Sequence, residues 1–144
     1  MKIDCHGEKY NELIKYEKAV DELFTNYVHL QENGNRTDTH WASLVNRNGV
    51  GLLAVGHPTT FNFGASYYEV TDLEKAKHTI DLQKRDYIVL HLDEKQNGLG
   101  SNSCGQSQLE KYRCKFKAFT LTMKLSAYST KEISANIKAK EQIQ

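Results

Sequence analysis

The chain has 144 residues, of which 39% are hydrophobic, and its formal net charge at pH 7 is +1. This length suits one domain with a buried core, and the nearly neutral charge gives no electrostatic reason to expect nucleic acid as a partner. The longest apolar stretch, around residues 49–55, is much shorter than the roughly 18 residues of a membrane-spanning helix. The N-terminus also lacks the apolar centre of a signal peptide. We therefore expect a soluble domain that binds neither nucleic acid nor a membrane.

The three cysteines are an odd set without C-x-x-C spacing: Cys5, Cys104 and Cys114. Such a set fits free thiols in a reducing compartment better than a disulfide framework. No pair of His or Cys residues has the spacing of a structural zinc site. The sequence thus predicts a cytoplasmic chain that holds no metal and no cofactor.

The first third of the chain contains weak signals followed by a strong one. Residues 11–23 have helix-forming residues with loose apolar periodicity, which predicts an irregular or short helical lead-in. Residues 24–30 are rich in aromatic and β-branched residues and predict a strand. Residues 40–46 and 50–56 flank the turn Arg47-Asn48-Gly49. This pattern predicts a β-hairpin in which both central turn residues have positive φ.

The middle of the chain predicts two strands and one helix. Pro58 lies in a loop over residues 57–60, and a strand is expected over residues 61–68. Thr71 and Glu74 have the spacing of a capping box, which predicts a short helix over about residues 72–77. Residues 87–93 alternate between apolar and polar, so a strand covered mainly on one face is expected there.

The last predicted strand begins near Arg113 and runs to Leu125. Its apolar alternation shifts by one residue at Ala118 and Phe119, which predicts a β-bulge at that point. Residues 127–144 are mostly polar and predict a frayed helix or a disordered tail. Strands joined by short turns, with one convincing helix, predict an all-β fold in which residues 1–126 form an antiparallel β-sandwich.

Two polar segments that carry glycine are the most informative part of the sequence. The first covers residues 31–37, is followed by Trp41, and contains Gln31, Glu32, Asn33, Gly34 and Arg36. The second covers residues 98–105, follows the strand-like His91-Leu92-Asp93, and contains Gly98, Gly100, Asn102, Ser103 and Cys104. In order and spacing, these two motifs resemble the C-terminal domain of family 2 β-galactosidases, the segment called the small chain when it is encoded separately.

The resemblance extends from about residue 8 to about residue 125. Glu8-Lys9-Tyr10 resembles the family's E-N-Y motif, and residues 61–68 resemble its F-N-x-S-x-Y strand. The chain departs from the family at its N-terminus, where Asp4-Cys5-His6-Gly7 replaces G-x-G-P. The resemblance implies a sandwich of the galactose-mutarotase type, of which this chain is the later half.

The resemblance also implies where catalysis takes place. A retaining galactosidase needs two carboxyl groups about 5 Å apart, and in the resembled family both come from a barrel domain that this chain lacks. The carboxylates nearest the motifs are Glu32, Asp38 and Asp93. Polar side chains in such turns more often satisfy backbone donors than react with sugars. The chain alone is therefore expected to be inactive, and its expected partner is the remainder of the enzyme, either a barrel domain or a large chain.

In the resembled family, the second motif reaches the mouth of the active site, where many members place a tryptophan against the aglycone. With a one-residue gap, Cys104 occupies that position, and Asn102 and Ser103 are hydrogen-bonding neighbours. The resemblance implies a weaker or different aglycone platform that binds the galactoside substrate. Alternatively, Gly98 and Gly100 only permit a tight loop in which Cys104 is a small buried hydrophobe. The sequence leaves both interpretations open.

Three functions follow from these observations. The favoured one is the C-terminal part of an enzyme that hydrolyses terminal β-D-galactosides such as lactose; it predicts an exposed apolar face where the missing half packs. The second is a stand-alone galactoside-binding module with aromatic residues at its surface: Trp41, Tyr67, Tyr68 and Tyr87. The third is a non-catalytic interaction domain. A half-sandwich is expected to associate either with its missing half or with a copy of itself.

Overall fold

A computed structural model describes residues 1–9, 12–97 and 106–143. The strands are Lys2–Lys9 (β1), Glu12–Ala19 (β2), Arg36–Val45 (β3), Val50–Gly56 (β4), Phe61–Ser66 (β5), Val89–Asp93 (β6) and Met123–Ser129 (β7). The α-helices are Val70–Lys75 (α1) and Ala135–Ile143 (α2), and short 3-10 turns lie at Val20–Leu23, Thr79–Asp81 and Glu110–Tyr112. All of the strand pairings are antiparallel, which confirms the predicted all-β class.

Strand β3 is the centre of the sheet. On one side it pairs with β1, which pairs in turn with β2. On the other side it pairs with β4 through residues 41–45 and with β5 through residues 36–39. Thr39 pairs with both Gly7 of β1 and Phe61 of β5, so β5 lies on the side of β3 opposite β1. Strands β4 and β5 therefore lie one after the other along the same edge of β3, and the loop at residues 57–60 separates them.

The next position in the sheet, beside β4 and β5, is also divided between two strands. Strand β6 pairs with β5, and β7 pairs with β4. Strands β4 and β5 run in the same direction, because both pair antiparallel with β3. Their antiparallel neighbours β7 and β6 therefore also run in the same direction, although residues 94–122 separate them in the chain. In the described residues, β6 ends at Asp93 and β7 begins at Met123, and the His57 amide donates a hydrogen bond to the Thr122 carbonyl at 3.4 Å.

Buried side chains form two clusters on opposite faces of the sheet. One side of the sheet, here called face one, carries Ile3, Val20, Leu23, Ala42, Ala54, Phe61, Phe63 and Ala65. Face two carries Trp41, Val45, Leu53, Val55, Tyr128, Ala135 and Ala139. Neighbouring residues of β3 contribute to different clusters because successive strand side chains point to opposite faces. The 3-10 turn Val20–Leu23 packs on face one, and α2 packs on face two.

Several local predictions are confirmed. The strands expected at residues 61–68 and 87–93 are β5 and β6, and Ile88, Leu90 and Leu92 pack together against the face-one cluster. The predicted hairpin joins β3 to β4. Within the residues that the structure describes, no helix is long and apolar enough to cross a membrane.

The hairpin turn differs from the predicted type. Gly49 has a φ of 79°, but Asn48 does not have positive φ, so the expectation for both central residues is wrong. The Asn46 side-chain oxygen accepts hydrogen bonds from the amides of Asn48 and Val50 at 2.9 and 3.1 Å. This side chain satisfies the turn's donors, so one left-handed residue is sufficient.

Two predictions near the N-terminus are wrong, the first of them in part. Of the irregular or short helical lead-in expected over residues 11–23, only the 3-10 turn Val20–Leu23 is present, and residues 12–19 form β2, which pairs with β1 along its whole length. Pairing with a distant segment outweighs the weak local preference for helix. Residues 24–30, expected as a strand, form no regular element, and Val28 is 92% exposed. Apolar and β-branched composition alone does not supply a neighbouring strand.

The last predicted strand is also wrong in its first half. No strand covers residues 113–122, so the expected start near Arg113 and the bulge at Ala118 and Phe119 are absent from this described segment. Strand β4 is paired by β7 from Met123 onward, and no described strand lies beside residues 113–122. Strand β7 continues to Ser129, beyond the boundary expected at residue 126, and α2 follows.

The short helix α1 begins two residues earlier than predicted and has a different cap. The Asp72 carboxylate, rather than that of Glu74, accepts a hydrogen bond from the Glu69 amide at 3.0 Å. The same carboxylate binds the Arg85 guanidinium through two hydrogen bonds of 2.9 and 2.7 Å. The hydrogen bonds from Arg85, followed by that from the Glu69 amide, lower the pKa of the Asp72 carboxyl from 3.8 to about 2.

The low pKa of Asp72 predicts how stability depends on pH. Because its pKa is lower in the folded state, ionised Asp72 stabilises the fold above pH 3.8, and this contribution is lost as the pH falls toward 2. We expect the melting temperature of Asp72→Asn to be below that of the wild type at pH 6, and the two to converge near pH 2. Thermal unfolding between pH 6 and 2 measures this. Asp86→Asn, an exposed carboxylate, is the control, and parallel Asp72→Asn and wild-type curves would contradict the assignment.

Two phenylalanines allow a direct test of the face-one core. Phe63 is fully buried in that cluster, whereas Phe116 is fully exposed. Truncation of a buried phenylalanine leaves a cavity, so we expect Phe63→Ala to lower the free energy of unfolding by about 3–5 kcal/mol. We expect Phe116→Ala to change it by less than about 0.5 kcal/mol. Urea denaturation of both variants tests the assignment, and similar losses for the two would refute it.

Candidate functional site

The first motif is a loop that Asn33 closes from inside. The Asn33 side-chain oxygen accepts a hydrogen bond from the Thr25 amide at 2.8 Å. Its side-chain nitrogen donates to the carbonyls of Thr25 and Gln31 at 3.1 and 3.2 Å. The side chain thus satisfies both backbone groups of Thr25, as a neighbouring strand would otherwise do. This replacement explains why the chain before the motif is ordered without being a strand.

Gly34 and Arg36 lead this loop into β3. Gly34 has a φ of 77°, and a side-chain carbon built there would lie 2.5 Å from the Leu23 carbonyl oxygen. The Arg36 guanidinium donates a hydrogen bond to the Gly34 carbonyl. The glycine is therefore required both by its backbone conformation and by the close approach of the Val20–Leu23 turn.

Glu32 connects the motif to β6. Its carboxylate oxygen lies 3.9 Å from the Nδ1 atom of His91, and both side chains are about one-third exposed. His91 pairs across the strands with Gly64, whose missing side chain leaves open the space beneath Glu32. Glu32 thus contacts the strand that leads into the second motif, although the two motifs are far apart in the sequence.

The other two carboxylates considered from the sequence lie near Asn62. The backbone amide of Asp38 donates to the Asn62 side-chain oxygen at 3.3 Å, and Asp38 has a φ of 54°. Asp93 is the cross-strand partner of Asn62. Asn62 is buried, so its amide helps to hold the end of β3 against β5. Glu32 contacts His91 instead, and the described contacts assign no nucleophile and acid pair to these carboxylates.

Two side-chain amides, one inside the first motif and one shortly before the second, have buried atoms without partners among the described residues. The side-chain nitrogen and oxygen of Asn35 and the side-chain oxygen of Gln96 are inaccessible to solvent and have no hydrogen-bond partner in the described part of the chain. A buried polar group without a partner costs about 1–3 kcal/mol. A polar group of another segment or partner that formed a hydrogen bond with Asn35 or Gln96 would therefore remove this cost.

A groove of about 560 Å³ lies between the first motif and α1. One wall is residues 28–32, and the other carries Val70, Leu73, Glu74, Ala76 and Lys77. The lining contains carboxylates and an ammonium group but no tyrosine, tryptophan or phenylalanine. It therefore lacks the flat aromatic surface on which a sugar ring stacks.

Three of the aromatic residues considered for sugar stacking have partners within the fold. Trp41 is only 3% exposed within the face-two cluster, and the Lys15 ammonium lies 5.9 Å from its ring centre. Tyr68 packs against Phe24 with ring centres 5.1 Å apart. Tyr87 donates a hydrogen bond to Glu69, which raises the pKa of the Tyr87 hydroxyl. These rings have structural partners, so the interpretation of Trp41 as a binding surface is wrong.

The second motif lies outside the described residues, and so do its predicted site residues: Gly98, Gly100, Asn102, Ser103 and Cys104. Cys114 is an exposed free thiol. In the described ranges, no three His, Cys, Asp or Glu side chains are close enough together to hold a metal ion. The part of the site that can be described is therefore the first motif and its contact with β6.

Sequence reasoning missed three residues that the fold brings to this motif. They are Asn62, Gly64 and His91. A signal was present, because Asn62 and His91 are polar positions between apolar residues of their strands and face away from the face-one core. Their proximity to Glu32 and Asp38 depends on the pairing of β5 with β3 and β6, which the sequence pattern does not reveal.

Two glycines test the conformation of the first motif. We expect Gly34→Ala to lower the free energy of unfolding by about 1–3 kcal/mol, because it adds a side chain at positive φ and against a carbonyl. Gly64→Ala is the matched control, since its added carbon would meet only the Glu32 carboxylate, at 3.9 Å. We expect that control to change stability by less than about 1 kcal/mol. Urea unfolding distinguishes the two, and equal effects would refute the described loop.

Comparison with known proteins places this geometry in context. A family model described as "Beta galactosidase small chain" matches residues 10–125. The chain is 34% identical over 110 residues to β-galactosidases of Actinobacillus pleuropneumoniae and Kluyveromyces lactis, covering 76% of this chain and 10% of each relative. It is 40% identical over 89 residues to the β-galactosidase of Vibrio cholerae, covering 61% of this chain and 8% of the relative. The chain thus spans about a tenth of the length of these relatives.

Proposed function

The chain belongs to the β-galactosidase small-chain family, and on that basis we propose that it acts as a C-terminal segment of a β-galactosidase. In this role it completes a larger sandwich and helps to shape the aglycone side of an active site. The substrates are terminal β-D-galactosides such as lactose, and the enzyme works in the cytoplasm. The partner is the remainder of the enzyme, which corresponds to the nine-tenths of the relatives that this chain does not match.

The observation that carries this proposal is an uncovered apolar area on face one. Leu125 pairs across the strands with Ala54, and Leu52 pairs with Ala127, so these side chains share a face with the cluster. Leu125 is 53% exposed, and Val50, at the end of the same face, is 50% exposed. An apolar sheet face at the surface is typical of a place where another layer packs.

Catalytic carboxylates are proposed to lie outside this chain. A retaining mechanism requires two carboxyl groups about 5 Å apart, on opposite sides of the glycosidic bond. Glu32 contacts His91, whereas Asp38 and Asp93 flank Asn62 in the strand pairing. The Glu32 contact supports a structural role for its carboxylate, whereas Asp38 and Asp93 are held through their backbones. We therefore propose that the isolated chain does not hydrolyse galactosides.

The contribution to the substrate site is proposed to come from the loop after β6. Asn102, Ser103 and Cys104 are the residues of this chain that we propose to contact the aglycone. Support comes from the 3.9 Å approach of the Glu32 carboxylate to His91, because it joins the first motif to β6, and β6 precedes the second motif in the sequence. A thiol has little stacking area, so a hydrogen-bonded aglycone suits this site better than a stacked one.

The two alternatives have less support. A stand-alone galactoside-binding module is expected to use Trp41, but Trp41 is buried. A purely structural interaction domain would also use the uncovered apolar area, without any link to catalysis. Self-association would cover that area with a second copy instead of the missing half. Complementation of a shortened relative separates these outcomes.

Complementation of a shortened relative tests the proposal. The 144-residue chain is assayed with a chromogenic β-galactoside, alone and mixed with a relative's β-galactosidase from which the matching segment has been removed. We expect activity only in the mixture. Activity of the isolated chain, or no activity in either sample, would refute the proposal.

A variant on the apolar area sharpens this test. Leu125→Asp places a charge where the missing layer would pack, so we expect it to reduce complementation about tenfold or more. Ile80→Asp, at a side chain that is 90% exposed elsewhere, is the matched control and should retain activity. Equal loss in both variants would show that face one is not the contact surface.

A further inference from the structure

We infer that residues 113–122, here called the arm, add as a β-strand to a sheet in the remainder of the β-galactosidase. This inference rests on the proposed function and specifies how the two parts join. In the described structure the arm forms no strand and follows the 3-10 turn Glu110–Tyr112. It leads directly into β7 at Met123. The arm is therefore continuous in the chain with an edge strand of the described sheet.

The sequence of the arm has the pattern of a strand. From residue 113 to residue 118, cations alternate with apolar or small side chains in the order Arg113, Cys114, Lys115, Phe116, Lys117 and Ala118. Alternation with period two predicts a strand whose faces differ in polarity. A strand cannot form without a neighbour for its backbone groups, and no described strand of this chain lies beside the arm. The pattern thus has no matching partner within the described chain.

The apolar side chains of the arm are uncovered. Phe116 is fully exposed and Phe119 is mostly exposed, whereas Leu121, at the other end of the arm, packs partly on the face-one cluster. With the bulge that the sequence predicts at Ala118 and Phe119, these two phenylalanines lie on one face of the added strand and bury a large area under a partner. The arm therefore presents new apolar contact surface next to the uncovered part of face one.

The outer edge of β7 is open near the arm and blocked at its far end. In the described sheet β7 pairs only with β4. The Lys138 ammonium from α2 donates a hydrogen bond to the Ala127 carbonyl at 2.8 Å. This hydrogen bond from the helix occupies a carbonyl that a further strand would need, so it discourages pairing at that end of β7. Strand addition is therefore directed to the arm and to the first residues of β7.

Charge distinguishes the occupant from a second copy of this chain. No acidic residue occurs between Glu110 and Glu132, whereas the arm carries three cations, Arg113, Lys115 and Lys117. Glu110 already forms ion pairs with Arg113 at 3.1 Å and with Lys115 at 2.5 Å. Two arms paired with each other would place like charges opposite one another, which is destabilising. The occupant is therefore a strand of the larger enzyme with carboxylates facing these cations.

Hydrogen exchange tests the inference. The full 144-residue chain is measured alone and with the shortened relative used for complementation, by mass spectrometry of peptides that cover the arm. We expect exchange of the arm amides to slow about tenfold or more in the mixture. The accessible Cys114 thiol lies within the arm and should also react more slowly with a maleimide.

Three variants give an independent readout through the dissociation constant of the mixture. We expect Phe116→Ser and Lys117→Glu each to weaken binding about tenfold. Ile80→Ser is the matched control for an exposed apolar side chain and should change binding by less than about threefold. All three positions are exposed in the free chain, so the variants should fold normally.

The outcomes separate this inference from the proposed function. Binding and complementation without protection of the arm would overturn strand addition and leave the proposed function in place. Protection of the arm in the chain alone at high concentration would identify a second copy as the occupant and also overturn it. No binding and no complementation would overturn both. Equal weakening by Ile80→Ser and Phe116→Ser would refute the assignment of the arm.

Discussion

The pairing of β3 along both of its edges is the constraint on which the rest of the structure depends. One strand, Arg36–Val45, contacts β1 on one side and both β4 and β5 on the other. Because β4 and β5 lie one after the other along the same edge of β3, the next position in the sheet is divided between β6 and β7. In the described residues, β6 ends at Asp93 and β7 begins at Met123. The second family motif lies between these two strands in the sequence.

The first motif stabilises the beginning of that central strand. Asn33 satisfies the backbone of Thr25, and Gly34 permits the close approach of the Leu23 carbonyl. Glu32 reaches across Gly64 to His91 on β6. A motif that identifies an enzyme family is thus explained in this chain by loop closure and strand contact. Its residues affect chemistry, in the proposed function, by holding the strand that precedes the second motif.

The predictable elements are those whose signals are local. The hairpin turn is recognisable from Asn48 and Gly49, and β6 from its alternation, because turn and strand preferences act over a few residues. Strand β2 was not predictable, since its partner β1 decides its conformation. The contact between Glu32 and His91 requires the order of strands in the sheet. The burial of Trp41 depends on α2, which packs from the other end of the chain.

Strand β2 and the arm are opposite failures of the same local reasoning. In β2 a weak pattern becomes a strand because a partner is present along its whole length. In residues 113–122 a strong alternating pattern has no described neighbour and forms no strand. Since backbone pairing supplies what the pattern alone cannot, a strand pattern without a strand indicates a missing neighbour. The same reasoning applies to the uncovered apolar area of face one, which includes Leu125. This area and the arm both lie near Met123, where β7 begins.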